Sequence, residues 1–229
     1  MYLLLAALAE ELTGLLARAS VTATEEWHGF SVHRGLMSGK EVAIARTGVG
    51  KSLSAMLAQH LIDSYRPQAL LFSGIAGALR PSIDIGDVVV ARDCLQYDLD
   101  ARPAGFALGQ VPFTDLRVID CDERLRKIAM GFQPGGYRVV TGRILTGDLF
   151  LTQADRESHR YLVEELEGTA VEMEGASVGL VAKINQVPFL LVRVISDRAD
   201  GKASMDFARF LPLASGRSGE LLEYLLARL

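Results

Sequence analysis

The sequence predicts an α/β protein, one domain over residues 1–229 built on a mixed β-sheet. Three observations predict it. The strand-length runs at 2–7, 69–79 and 188–195 are apolar without alternation, as in strands covered on both faces, and Arg193 is the one charge inside them. Helix-length stretches separate most of these runs. No linker, repeat or low-complexity segment divides the chain.

Taken in order, residues 2–7 read as a strand and Glu10 to Ala17 as a helix. Trp27 to Val32 and Glu41 to Arg46 read as a hairpin turning at Ser38–Gly39. TGVGKS at 47–52 leads into a helix over Leu53 to Tyr65, which Pro67 punctuates. ALLFSGIAGAL is a strand ending in a glycine-rich turn, and Asp87 to Arg92 is another strand. Residues 93–115, rich in Asp, Pro and Gly, read as a loop of functional length. A helix over Asp122 to Phe132, a strand over Tyr137 to Leu145 and a helix over Ala154 to Leu166 follow. Thr169 to Asp197 reads as strand, helix, strand, a βαβ unit with Glu174 and Asp197 at adjacent strand ends, where α/β sheets bind ligands. A polar loop and a long amphipathic helix end the chain.

Composition narrows the function. Net charge is −4 with scattered basic residues, which argues against a nucleic-acid footprint. No apolar run reaches the roughly 18 residues of a membrane span. The start turns acidic at once and has no basic leader, so it reads as a strand entering a helix. Cys94 and Cys121 lack redox or metal spacing and read as incidental thiols of a cytoplasmic protein. The four histidines are dispersed, so neither metal nor cofactor is implied. TGVGKS invites a nucleoside-triphosphate reading, but a P-loop needs glycine where Ala45 stands, inside an apolar strand. A turn lining a ligand, or a plain tight turn, remains.

The ordered motifs AALAEEL (6–12), TGVGK (47–51), SGIAGAL (73–79), IGDVVV (85–90), DLDARPAGFALGQVP (98–112), TGDLF (146–150), VEMEG (171–175), VRVISD (192–197) and SMDFARFL (204–211) resemble the purine nucleoside phosphorylase/nucleosidase superfamily. Within it they are most similar to the 5′-methylthioadenosine/S-adenosylhomocysteine nucleosidases. The resemblance implies a three-layer α/β/α fold and hydrolysis of an adenine–ribose bond. That reaction needs an acid at the leaving base, a group activating water on the opposite face, and an anchor for the ribose.

By resemblance, Asp197 protonates N7 of adenine and Ser196 orients it. Glu11 holds the attacking water, with the adjacent Glu10 as its natural control. Glu174 accepts the ribose 2′- and 3′-hydroxyls, and Arg193 supports the water and Glu11. Phe150 would stack on adenine while the Leu151 backbone reads its edge. Met173 would pack on the ribose, and Glu172, Ile75, Ala76 and Gly77 complete the nucleoside site. Leu8, Val49 and Phe207 would line the pocket for the 5′ substituent. Phe106 would reach that pocket from the partner subunit of a homodimer, in which the 93–115 loop lies near the partner's active site.

Two positions depart from the family. Ile75 replaces a serine that helps hold the water, a hydrogen bond worth roughly 0.5–1.5 kcal/mol. Ala104 replaces a phenylalanine offered to the 5′-alkylthio group, which implies a roomier pocket. Phosphorylases of the superfamily hold phosphate through that serine and an arginine three residues earlier. Phe72 and Ile75 stand there, so water is the expected nucleophile. The expected substrates are 5′-methylthioadenosine, S-adenosylhomocysteine and 5′-deoxyadenosine. The rival readings are a futalosine hydrolase of menaquinone synthesis and a nucleoside-binding sensor without turnover.

Overall fold

The strand β1 (Tyr2–Ala6) is buried at every position, which places it inside the sheet. It pairs in parallel with β4 (Lys40–Arg46) on one side and β5 (Ala69–Ala78) on the other. The computed structural model describes residues 1–151, 158–197 and 203–229, with side chains from 210 onward in the last segment.

Beyond β4 the sheet continues through β3 (Phe30–Met37) to its edge at β2 (Ser20–Trp27). The expected hairpin is therefore a three-stranded meander. Its second turn falls at Ser38–Gly39 as read, but the first, at His28–Gly29, cuts through the segment read as one strand. Beyond β5 the sheet closes on itself. β5 pairs with β10 (Phe189–Asp197), β10 with β6 (Val88–Gln96), β6 with β8 (Val139–Thr146), β8 with β9 (Gly168–Glu172), and β9 again with β5. The short β7 (Ile119–Asp120) adds to β6. The long loop thus begins after Gln96, not at residue 93.

Helices cover both faces. α1 (Ala9–Leu16) and α3 (Glu123–Met130) pack with α6 (Ala203–Leu226). α2 (Lys51–Tyr65) packs with α5 (Gly175–Ile184), which reaches β6, β8 and β10. The three-layer α/β/α expectation holds, and the ring of β5, β10, β6, β8 and β9 is added to it. Of the helix expected at 154–166, residues 154–157 lie outside the described residues; α4 (Tyr161–Glu164) is the helical part of what is described.

The βαβ reading needs correction. β9 and β10 are not neighbours, because β5 lies between them, parallel to β10 and antiparallel to β9. The two acidic strand ends still meet through register. Gly77 of β5 is opposite Asp197 on one side and Val171 on the other.

Candidate active site

A cavity of about 220 Å³ opens where β5, β9 and β10 end, closed from outside by the turns after β1, β4 and β8. Glu11, Glu172, Glu174, Ser196 and Asp197 contribute its polar groups. Leu8, Val49, Ile75, Ala76, Gly77, Phe150, Leu151 and Met173 line it as read from the sequence. Ala7, Leu149 and Val171 line it too and are not among the site residues expected, although each lies inside one of the motifs AALAEEL, TGDLF and VEMEG. Phe150 and Val49 stand half-exposed at the mouth.

Glu11 is buried by its own helix start. Its Oε2 accepts the amides of Ala7 and Leu8 at 2.9 Å each, turning back over the β1–α1 junction as the acidic member of a capping box does. Its Oε1 accepts the Ile75 amide at 3.0 Å. Burial raises its pKa, opposed by the charge of Arg193 and by the amides of Leu8, Ile75 and Ala7. Glu10, one residue earlier, is exposed.

Glu172 ends β9 and serves the start of α5. Its carboxylate accepts the amides of Glu174 at 3.1 Å and Gly175 at 2.7 Å, the Thr146 hydroxyl, and Arg193 Nη2 at 2.6 Å. An anion among N-terminal amides is favoured by the helix dipole. The sequence reading gave Glu172 to the substrate. It lines the cavity, but its oxygens are bonded to the protein.

Glu174 opens α5 and is buried. Its Oε1 accepts the Gly50 amide at 2.9 Å, and its Oε2 lies 3.9 Å from Arg193 Nη2. Burial first, then the neighbouring Glu172 carboxylate, raises its pKa to about 8, against the opposing pull of Arg193 and Gly50. It lines the cavity and keeps acceptor capacity beyond the Gly50 bond.

Asp197 ends β10, buried, with Ser196 Oγ donating to its Oδ2 at 2.8 Å. The Ser196 hydroxyl also lies 3.4 Å from the Ala76 carbonyl.

Arg193 lies beneath the cavity and does not line it. It is 1% exposed, bonded to Glu172 and stacked over Phe72 at 4.4 Å. Gly74 lets it approach Glu11: a Cβ there would stand 3.0 Å from Glu11 Oε1 and 3.2 Å from Arg193 Nη1.

Phe106 is not in the cavity wall of this chain; its ring meets Phe113 edge-on at 5.1 Å in the long loop. Ala104 sits in a short 3₁₀ turn of that loop and also stays off the wall. The Phe207 side chain lies outside the described residues. Val49 on the wall makes TGVGKS a turn that borders the cavity. The cations that could replace a missing phosphate site are engaged elsewhere. Lys51 pairs with Asp98 at 2.7 Å, and Arg80 bonds the carbonyls of Gly168 and Glu167. Among the described residues no cluster of His, Cys, Asp or Glu could hold a metal ion, and no helix is long and apolar enough to cross a membrane.

A partly closed mixed sheet with four buried carboxylates around one cavity beside an aromatic mouth defines an enzyme of the nucleoside phosphorylase fold. The chain belongs to the phosphorylase superfamily, whose family model matches residues 2–227. It is 34% identical over 225 residues to the 5′-methylthioadenosine/S-adenosylhomocysteine nucleosidase of Actinobacillus succinogenes, covering 97% of this chain and 96% of that one. It is 35% identical over 209 residues to the aminodeoxyfutalosine nucleosidase of Campylobacter jejuni, covering 91% and 90%. A mutant of the Helicobacter pylori 5′-methylthioadenosine/S-adenosylhomocysteine nucleosidase, solved with 5′-methylthioadenosine in its active site, superposes with a TM-score of 0.93 at 32% identity. That match covers 100% of this chain and 98% of that one. Nucleosidases are N-ribosyl hydrolases, and the chain is an enzyme of that kind.

Proposed function

We propose that the protein hydrolyses the N-glycosidic bond of 5′-modified adenosines, releasing adenine and the 5′-substituted ribose. The observation that carries this reading is the convergence of Glu11, Glu174 and Asp197 on one cavity beside Phe150. Asp197, oriented by Ser196, gives its proton to N7 of the base. As the glycosidic bond lengthens, positive charge grows on the sugar, and buried carboxylates below it stabilise that charge. Glu174 holds the ribose hydroxyls. Glu11, fixed by three amides, holds and deprotonates the water, and Arg193 acts behind it through Glu172 and the local field. Phe150 stacks on the base, Leu151 reads its edge and Met173 packs on the sugar. The expected substrates are 5′-methylthioadenosine, S-adenosylhomocysteine and 5′-deoxyadenosine.

A second reading keeps this chemistry and changes the 5′ group to that of futalosine or aminodeoxyfutalosine. The identity to the Campylobacter enzyme favours it, as does the small Ala104 in place of a phenylalanine. In either case the active assembly is a homodimer. Phe113, 93% exposed and packed on Phe106, supports a partner copy over this loop, as do the exposed Leu53, Met56 and Ile184.

The test is free-base release from 5′-methylthioadenosine, S-adenosylhomocysteine, 5′-deoxyadenosine, aminodeoxyfutalosine and futalosine, each with and without phosphate. Phosphate-independent release is expected, and the ranking decides between the two 5′ readings. Phosphate dependence, or no base released from any of them, would overturn the proposal.

A further inference from the structure

The outer wall of the cavity is made by turns distant in sequence, and one lysine joins them. Lys51 Nζ meets Asp98 Oδ1 at 2.7 Å and lies 3.9 Å from Asp148 Oδ2. Asp98 Oδ2 accepts the Asp148 amide at 2.9 Å. Asp148 Oδ1 in turn accepts the Lys51 amide at 2.9 Å, supplying the cap that Gly50 lacks at the start of α2. The next residues along each segment are the wall itself. Val49 precedes this cap, and Leu149, Phe150 and Leu151 follow Asp148. Asp98 opens the long loop that carries Phe106. Tyr97 supports the same place: its hydroxyl reaches the Leu149 carbonyl at 3.4 Å, and its ring leaves no room for a side chain at Gly147.

We propose that Lys51, Asp98 and Asp148 form an ionic clamp that positions Phe150 and Val49 over a bound nucleoside. The proposal rests on the reading that the cavity takes a nucleoside. All three are positioning residues, since none lines the cavity. Successive amides of one turn are drawn to opposite walls, Gly50 to Glu174 and Lys51 to Asp148. Loosening the clamp therefore frees both the aromatic face and the loop that touches Glu174. Lys51 and Asp98 are partly shielded, at 19% and 27% side-chain exposure, and Asp148 is half-exposed. Added salt therefore weakens the clamp without dissolving it. Holding a substrate wall in place acts on binding before it acts on the bond broken.

The experiment compares Lys51→Met, Asp98→Asn, the double variant and Lys51→Arg with the wild type. KM and kcat for 5′-methylthioadenosine are measured at about 50 and about 500 mM salt. Amide hydrogen exchange over residues 147–151 is followed in parallel. In Lys51→Met and Asp98→Asn, KM should rise about three- to tenfold while kcat stays within about twofold. The double variant should be no worse than either single one. Lys51→Arg should restore most of the loss, and salt should raise the wild-type KM but not that of Lys51→Met. Exchange at 147–151 should quicken in Lys51→Met. Unchanged KM and exchange in a folded Lys51→Met protein would overturn the clamp, as would a fall in kcat with KM unmoved. If Lys51→Met does not fold, the salt response of the wild-type KM and exchange decides. A wild type that releases no base would sink the functional reading instead, and the exchange comparison would still test the clamp.

Discussion

Arg193 and Glu172 form a buried ion pair at 2.6 Å, with side chains 1% and 3% exposed, directly beneath the cavity. The pair joins β10 to the end of β9 across β5. Removing one partner of a buried pair leaves a charge with no compensation, which typically costs about 3–5 kcal/mol. Glu172→Ala should lose about that much stability by urea unfolding, while Glu10→Ala, on an exposed position, should lose almost none.

Gly74 sits where Glu11 and Arg193 come closest. A methyl there would stand nearer to both than ordinary packing allows, and Arg193 is held in place by Glu172. Gly74→Ala should destabilise the protein by about 1–3 kcal/mol and lower kcat through Glu11. Full stability and rate in that variant would mean that the guanidinium shifts freely.

Asp197→Asn keeps the shape and the bond from Ser196 but removes the proton donor. Turnover should fall by about 10²–10⁴ or more, while nucleoside binding by calorimetry persists. Full activity would remove Asp197 from the mechanism.

Ile75 presents a hydrocarbon to the cavity while its amide holds Glu11. Ile75→Ser leaves that amide in place and adds a hydroxyl beside the water site. The hydrolysis rate should rise or stay unchanged, the gain being limited to what about 0.5–1.5 kcal/mol gives. A large loss would show a water site built differently.

Glu174 supplies a pH test. Its pKa is raised from 4.5 to about 8, so the folded protein holds this proton more tightly than the unfolded chain. The resulting stability is fully present below pH 4.5 and is lost as pH rises towards 8. Glu174→Gln carries no such proton. Between pH 5 and pH 8 the wild type should lose stability relative to Glu174→Gln, by on the order of a few kcal/mol. Parallel profiles from urea unfolding would refute the shift.

Much of this could be read from residue order. Uninterrupted apolar runs announced β1, β5 and β10, because strands covered on both faces need no polar side. The edge strand β2, SVTATEEW, has almost no buried position, so it carries no apolar signature and was missed. The His28–Gly29 turn was hidden because His28 takes a positive φ of 46° that its residue type does not advertise. Motif positions located the cavity wall, but partners did not follow from them. Nothing in VEMEG says that Glu172 would bind Arg193 and cap α5 while Glu174 keeps acceptor capacity beyond the Gly50 bond. That division depends on β9 running antiparallel to β5, a relationship set by the closure of the ring.

The closure has a further consequence. β5 is bonded to β1, β9 and β10, and its partners in β10 lie more than a hundred residues along the chain. It is paired along both edges, by β10 on one and by β1 and β9 on the other, and it is buried along most of its length, so its amides should be among the last to exchange with solvent. The platform under the three carboxylates is then lost only together with the whole molecule. A nascent chain lacking residues 189–197 has no partial version of this site to offer, and competence for chemistry arrives in one late step.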